Sequence, residues 1–239
     1  MAYSKTRKNK RKYRTKRKNI KGGGNHITVY PPDSIKKYIS HVIYVNLDSR
    51  TDRRAQIENE LKIFNPEQIH RIPGIVPDIK GNRTLALAKA HLNAIKMARD
   101  NNWNNTLFLE DDSIWANIEK GYPVFEKLIK EPYDAIMLGS HLAVYDKNTY
   151  RIIDKATSGA SYLLNQPHYN IVIEKIEELI KSFNNNSTED NMACDLNVFV
   201  PLQKKYKWFA VVPVLMKQRI SYSDRTLEDN KNHSGSNTK

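Results

Sequence analysis

Three consecutive carboxylates, Glu110, Asp111 and Asp112, close the apolar run Thr106-Leu107-Phe108-Leu109, and no other stretch of the chain gathers acids so tightly at the end of a buried-type segment. Adjacent carboxylates repel one another unless a positive charge neutralises them. A divalent cation does this economically, since Mg2+ and Mn2+ take hard oxygen ligands from one or two carboxylates and leave the other positions to water and substrate phosphate. A plainer reading stands beside it: Asp112-Ser113 caps a following helix while Glu110 and Asp111 stay solvated at a strand end. A second cluster, Arg50, Arg53 and Arg54, falls where a strand gives way to a helix. A helix N-terminus already favours anions, so arginines there suit a diphosphate. The alternative, weighted more heavily for Arg53, is a solvated first helical turn.

These residues need elements to hold them. His41-Val42-Ile43-Tyr44-Val45-Asn46-Leu47 is β-branched and aromatic, as a buried strand requires. After Thr51, a plausible N-cap, Ile57, Leu61 and Phe64 recur at helical spacing before Pro66. Glu67 to Ile72 fits a second strand, and a loop rich in proline and glycine follows. Thr84 to about Asp100 fits a long helix with Leu87, His91, Ala94, Ile95 and Ala98 inward. On composition alone an inward histidine is a hydrogen-bonded core residue. The acidic strand comes next, and its C-terminal end is the edge that faces the ligand crevice in open α/β sheets. A helix from just after Asp112 to about Lys130 is expected, then a strand at 133–139 and a hairpin turning at Asp146-Lys147-Asn148. A strand at 160–164, a helix opening at Pro167, a helical stretch at 189–204 and closing strands at 207–216 complete the chain. Alternating strands and helices predict an α/β fold with a mostly parallel central sheet and helices on both faces.

The net charge of +13 over 239 residues suggests nucleic acid until it is located. Residues 1–24 hold 11 lysines and arginines and no acid, leaving 28 bases against 26 acids elsewhere, a balance of +2. The basicity therefore belongs to a low-complexity tail expected to be disordered, able to meet an anionic surface or nucleic acid, or to serve as a solvated tail only. Residues 25–40 read as a linker, 41–225 as the folded domain and 226–239 as a flexible C-terminal tail. Cys194 is the single cysteine, so no internal disulfide forms. The basic start meets three glycines where a secretory signal would place an apolar core, and the longest apolar run, Trp208 to Met216, is broken by Pro213 and too short to span a bilayer. A cytoplasmic location without a transmembrane segment is the expectation.

Taken in order, several segments resemble glycosyltransferase family 25, which includes bacterial lipopolysaccharide sugar transferases and collagen galactosyltransferases. Tyr44-Val45-Asn46-Leu47-Asp48-Ser49-Arg50-Thr51-Asp52-Arg53-Arg54 is similar to its strand-one signature, Leu107 to Asp112 to its Glu-Asp-Asp metal motif, and Ala90-His91-Leu92 to its Ser-His pair. Thr157 to Leu163 is similar to its Gly-containing strand, Ala193-Cys194-Asp195 to its Val-Asp-like segment, and Gln218 with Ser221-Tyr222-Ser223-Asp224 to its closing motif. Ala90 and Ala88 depart from the family's serine and upstream cysteine. The resemblance covers roughly 41–225 and implies a GT-A type fold, a UDP-sugar donor carrying galactose or glucose, Mn2+ (or Mg2+) dependence and inversion at the anomeric carbon. It implies a collagen-like protein or a saccharide as acceptor.

Carried over residue by residue, it makes Asp112 the first metal ligand with Glu110, and leaves Glu110 or Asp111 to contact ribose or the metal through water. Asn46, Leu47, Asp48, Arg50 and Arg54 hold the donor, His91, Gly159 and Gln218 face the substrate, and Asp195 is the catalytic base. Two competing readings are a metal-dependent nuclease or nucleotidyltransferase, and a non-enzymatic binding module whose basic tail carries the function. The first ordinarily needs a basic groove on the body, which a balance of +2 does not favour.

Overall fold

The computed structural model describes residues 28–77, 82–184, 186–188 and 192–220. The expectations for 1–24, for 189–191, for Ser221-Tyr222-Ser223-Asp224 and for 226–239 lie outside the described residues.

Along the chain a short helix α1 (Ile35–Tyr38) leads into β1 (His41–Asn46), α2 (Thr51–Glu60), β2 (Ile69–Pro73), α3 (Arg83–Asp100) and β3 (Thr106–Glu110). Then come β4 (Ser113–Trp115), α4 (Ile118–Leu128), β5 (Ala135–Met137) and the antiparallel pair β6 (Leu142–Tyr145) and β7 (Ile152–Thr157). The chain continues through β8 (Ser161–Leu164), α5 (Tyr169–Lys181), a π-helical turn (Asp195–Phe199), α6 (Val200–Lys205), β9 (Trp208–Ala210) and β10 (Met216–Gln218).

The central sheet has the order β2-β1-β3-β8-β5-β9. β2, β1 and β3 run parallel, β5 and β9 run parallel, and β8 lies between the two groups antiparallel to both neighbours. This is the anticipated α/β class with a mostly parallel sheet. Strand alternation divides the core in two. Ile43, Val45, Phe108 and Tyr162 pack with Ala94 and Ile95 of α3 and Val172 and Ile176 of α5. Val42, Tyr44, Leu107 and Leu109 pack on the other face with Ile57 of α2 and Phe125 and Leu128 of α4. Each fully buried side chain of this kind stabilises the fold by roughly 1.5–3 kcal/mol over leaving it in water.

Two segments differ from the sequence expectation. No helix starts directly after Asp112. Instead Ser113 bonds through Oγ to the Ala160 carbonyl at 2.8 Å, and Ser113–Trp115 pairs with β10 before α4 begins. The pairing partner lies about a hundred residues downstream, so local patterning carries no trace of it. The segment read as linker also contributes to the core, because Ile35 and Ile39 are fully buried against the α2 and α4 side. Among the described residues no helix is long and apolar enough to cross a membrane.

Candidate functional site

The acidic triplet is sorted by the same alternation that divides the core. Asp111 shares the parity of Leu107 and Leu109, so it turns toward α2. There its Oδ1 accepts from Arg53 Nη1 at 2.8 Å and its Oδ2 from Asn46 Nδ2 at 2.8 Å. Arg53 Nη1 also lies 3.7 Å from Asp112 Oδ2. Arg53 is 7% exposed, which corrects its reading as a solvated first-turn residue. The positive charge that the sequence demanded beside these acids is partly supplied by the chain itself. Its source, 58 residues upstream of Asp111, is not visible to any short-range pattern.

The remaining strand-one candidates are engaged around the same clamp. Asn46 also donates to the Arg50 carbonyl at 3.1 Å and accepts from Arg71 Nε at 3.1 Å. Asp48 pairs with Arg71. Arg50 forms a bidentate pair with Asp52, both contacts at 3.0 Å, and Arg54 pairs with Glu58 at 2.8 Å on the surface. Leu47 packs so closely against Gly74 that a Cβ on Gly74 would meet Leu47 Cδ2 at 2.9 Å. None of these side chains lines the cleft described next.

Glu110 has the parity of Phe108 and faces α3. It opens onto a cleft of about 110 Å³, with His91, Gly159, Asp195 and Gln218 also in its walls. Each comes from a different element. Thr84, Leu87, Ala88 and His91 form one stripe of α3, spaced three and four apart. Gly159 stands at this edge because β8 runs against its neighbours, so the loop preceding it arrives where β3 ends; Glu110 N bonds the Ala160 carbonyl at 2.9 Å. Asp195 opens the π-helical turn, a distortion often found at functional sites. Gln218 ends β10 and is brought in by pairing with Ser113. The sequence reading missed the other polar groups of the wall, Thr84, His141 and Ser158. The helical stripe could have signalled Thr84, but His141 and Ser158 sit on loops whose positions depend on β5 and β8.

The Gln218 contacts at this cleft are long. Gln218 Nε2 stands 3.4 Å from Glu110 Oε2 and 3.4 Å from Asp112 Oδ1, between the two carboxylates. Asp112 is 3% exposed, and burial pushes its carboxyl up to about 6 against the opposing pull of Arg53. His91 Nδ1 is 2.9 Å from the Tyr162 hydroxyl, whereas its Nε2 has no hydrogen-bond partner among the described residues and lies 3.9 Å from Glu110 Oε1. Burial lowers the His91 pKa to about 4, so the ring is neutral at ordinary pH. Cys194 lies in the same wall with its thiol pushed up to about 12 by burial and is not a ready nucleophile.

The donor set can be tested for a divalent cation on this geometry. Oxygens of Glu110 and Asp112 both lie within 3.5 Å of one point, now held by an amide nitrogen carrying partial positive charge. Two carboxylates around one position, with an amide able to turn its oxygen inward, fit the hard-oxygen preference of Mn2+ or Mg2+. Among the described residues no group of three or more His, Cys, Asp or Glu side chains converges in this way. Such a cation would therefore take its further ligands from substrate and water.

No protein-family model and no curated protein matches the sequence. Solved structures do resemble the chain path. One is a glycosyltransferase involved in glycosylation of the major capsid of PBCV-1, 10% identical, covering 71% of this chain and 80% of that one at a TM-score of 0.43. A Drosophila β-1,4-galactosyltransferase 7 in complex with manganese, UDP-Gal and xylobiose is 12% identical, with 80% and 75% covered and a TM-score of 0.44. A 4-diphosphocytidyl-2C-methyl-D-erythritol synthase from Anaerococcus prevotii is 15% identical, with 75% and 73% covered and a TM-score of 0.39. The likenesses thus include glycosyltransferases and an enzyme of another name. At these TM-scores they carry no argument about chemistry, which has to come from the cleft.

Proposed function

We propose that the chain is a metal-dependent glycosyltransferase that moves a hexose, galactose or glucose, from a UDP-sugar to a hydroxyl of a saccharide or collagen-like protein acceptor, with inversion. The observation that carries this reading is the convergence of Glu110, Asp112 and Gln218 at the C-terminal end of β3, with Asp112 buried beside a cleft whose wall includes Glu110, Gln218, His91 and Asp195. Glu110 and Asp112 would hold Mn2+ or Mg2+, which when bound supplies a Lewis acid that offsets the charge developing on the leaving diphosphate.

The remaining work falls to the chain. Asp195, half-buried in the cleft wall, takes the proton of the acceptor hydroxyl on its carboxylate as the new glycosidic bond forms. Gly159 leaves the wall beside Glu110 without a side chain, so a substrate can approach closely. Leu47 and Asp48 hold the nucleotide at the exit of β1, and Arg50 and Arg54 reach its phosphates by exchanging their intramolecular partners for the ligand. Asp111 serves by fixing Arg53 and Asn46, which ties α2 and β1 to the acidic turn.

A screen of UDP-hexoses with and without Mn2+, read as UDP release, tests this directly. Metal-dependent UDP release is expected, with Asp195→Asn lowering turnover about 10²–10⁴-fold and leaving UDP affinity nearly unchanged. Pyrophosphate release from nucleotide triphosphates in place of UDP release would instead assign a nucleotidyltransferase.

A further inference from the structure

The wall of the cleft formed by His91, Tyr162 and Glu110 contains a buried group left unmatched. Tyr162 is fully buried, its ring stacked on Phe108 at 5.3 Å between centroids and set edge-on to Phe199 at 4.8 Å. A buried O–H needs an acceptor, and among the described residues the partner of this hydroxyl is His91 Nδ1 at 2.9 Å. If Nδ1 donated instead, the tyrosine proton would be stranded at a desolvation cost of roughly 1–3 kcal/mol. The hydroxyl therefore donates to Nδ1, and the neutral ring carries its proton on Nε2. His91 belongs to the cleft wall, and its buried Nε2–H lies 3.9 Å from Glu110 Oε1, too far for a direct bond.

A fixed donor and a carboxylate acceptor at this separation define what fits between them. An oxygen about 2.8 Å from each would see them about 90° apart, near the spread between a hydroxyl's proton and its lone pair. An ionised phosphate oxygen can accept from Nε2 but carries no proton for Glu110, and any phosphate, including one that bears a P–OH, is repelled by the carboxylate's charge. An ammonium has protons for Glu110 and nothing to offer Nε2–H.

We infer that His91 Nε2–H and Glu110 Oε1 form a subsite for one alcohol hydroxyl of a sugar ring and exclude phosphate from this part of the cleft. The inference rests on the sugar-transferring reading for its choice of ligand. Tyr162 acts through His91 and is a positioning residue.

The test is made on the full chain with 15N-labelled histidine and metal removed by chelation. His91 is assigned by the loss of its signal in His91→Gln. Long-range 1H–15N correlations are expected to show the Nε2–H tautomer, and methyl galactoside or methyl glucoside is expected to shift the Nε2 resonance saturably, whereas inorganic phosphate leaves it unmoved. Tyr162→Phe should release the tautomer to a mixture and weaken hexoside binding about tenfold. An Nδ1–H tautomer in the wild-type chain, a phosphate-induced shift, or no response to either hexoside would each overturn the assignment, and all three are read on the wild-type chain once His91→Gln has assigned the signal. Absence of UDP-sugar turnover alongside an intact hexoside response would remove the transferase reading and leave the hydroxyl subsite standing.

Discussion

The two sides of the acidic turn are built to different standards. On the α2 side the polar groups are matched at close range: Asp111 meets Arg53 and Asn46 at 2.8 Å, with both its oxygens taken. On the α3 side the separations stretch to 3.4 Å from Gln218 to Glu110 and Asp112, and 3.9 Å from His91 to Glu110, and a fully buried ring nitrogen has no partner among the described residues. Both sides come from three consecutive residues, which strand alternation sends to opposite faces of the sheet. The α2 side is closed by short charged contacts, whereas on the α3 side the Nε2 of a buried histidine has no hydrogen-bond partner among the described residues. The parity of one strand thus gives Asp111 to the Arg53 clamp and turns Glu110 and Asp112 toward Gln218.

The largest effect should come from breaking the closed side. Arg53→Ala leaves Asp111 and Asp112 buried without their cation and is expected to cost about 3–5 kcal/mol in urea unfolding. A loss below about 1 kcal/mol would show that the clamp is not structural. Next come two glycines, one on each kind of surface. At Gly139 a Cβ would lie 2.5 Å from Ser161 Oγ and 2.8 Å from the Met216 carbonyl, so Gly139→Ala should cost about 1–3 kcal/mol. At Gly159 the nearest atoms are Glu110 Oε1 at 3.8 Å and Phe199 Cε2 at 4.0 Å, ordinary contacts. Gly159→Ala should keep stability within about 0.5 kcal/mol while weakening UDP-sugar binding, since its methyl group enters the open side. Equal stability losses in the two variants would erase the distinction.

Protons can break a matched contact too. His168 Nε2 accepts from Trp208 Nε1 at 3.1 Å, and burial lowers its pKa from 6.5 despite the opposing charge of Asp134. As pH falls below 6.5 the unfolded chain takes up a proton that the folded chain refuses, so this stability is present above 6.5 and lost below it. His168→Gln keeps an acceptor for Trp208 without titrating, and its stability profile between pH 7.5 and 5.5 should be flatter by up to about 1.4 kcal/mol per pH unit. An unchanged slope would refute the assignment. His91 contributes with the same sign and Asp112 with the opposite one, and both remain in the variant. The smallest structural effect is expected at Arg54, whose pair with Glu58 is solvent-exposed. Arg54→Ala should leave the urea midpoint unmoved and lower UDP affinity, and a normal affinity would remove it from the donor site.

Most of the scaffold was legible because apolar periodicity and buried packing report the same thing. The strand at 106–110, the helix at 83–100 and the hairpin around Asp146 were all anticipated from spacing. Alternation along β3 keeps the three acids from all converging on one face. What escaped was long-range. Arg53 was misread because its carboxylate partners lie more than fifty residues away, and β4 because it exists only in company with β10. His141 and Ser158 carry no periodic signature, since their places are set by the strands their loops connect. Asp195 was expected on a regular helix and instead opens a π-helical turn.

Gln218 reaches the acids from 108 residues beyond Glu110. The strand that carries it, β10, lies outside the six-stranded sheet and pairs with β4 alone. On the transferase reading, a cut between β9 and β10 would leave all six strands of the central sheet in place while separating Gln218 from Glu110 and Asp112.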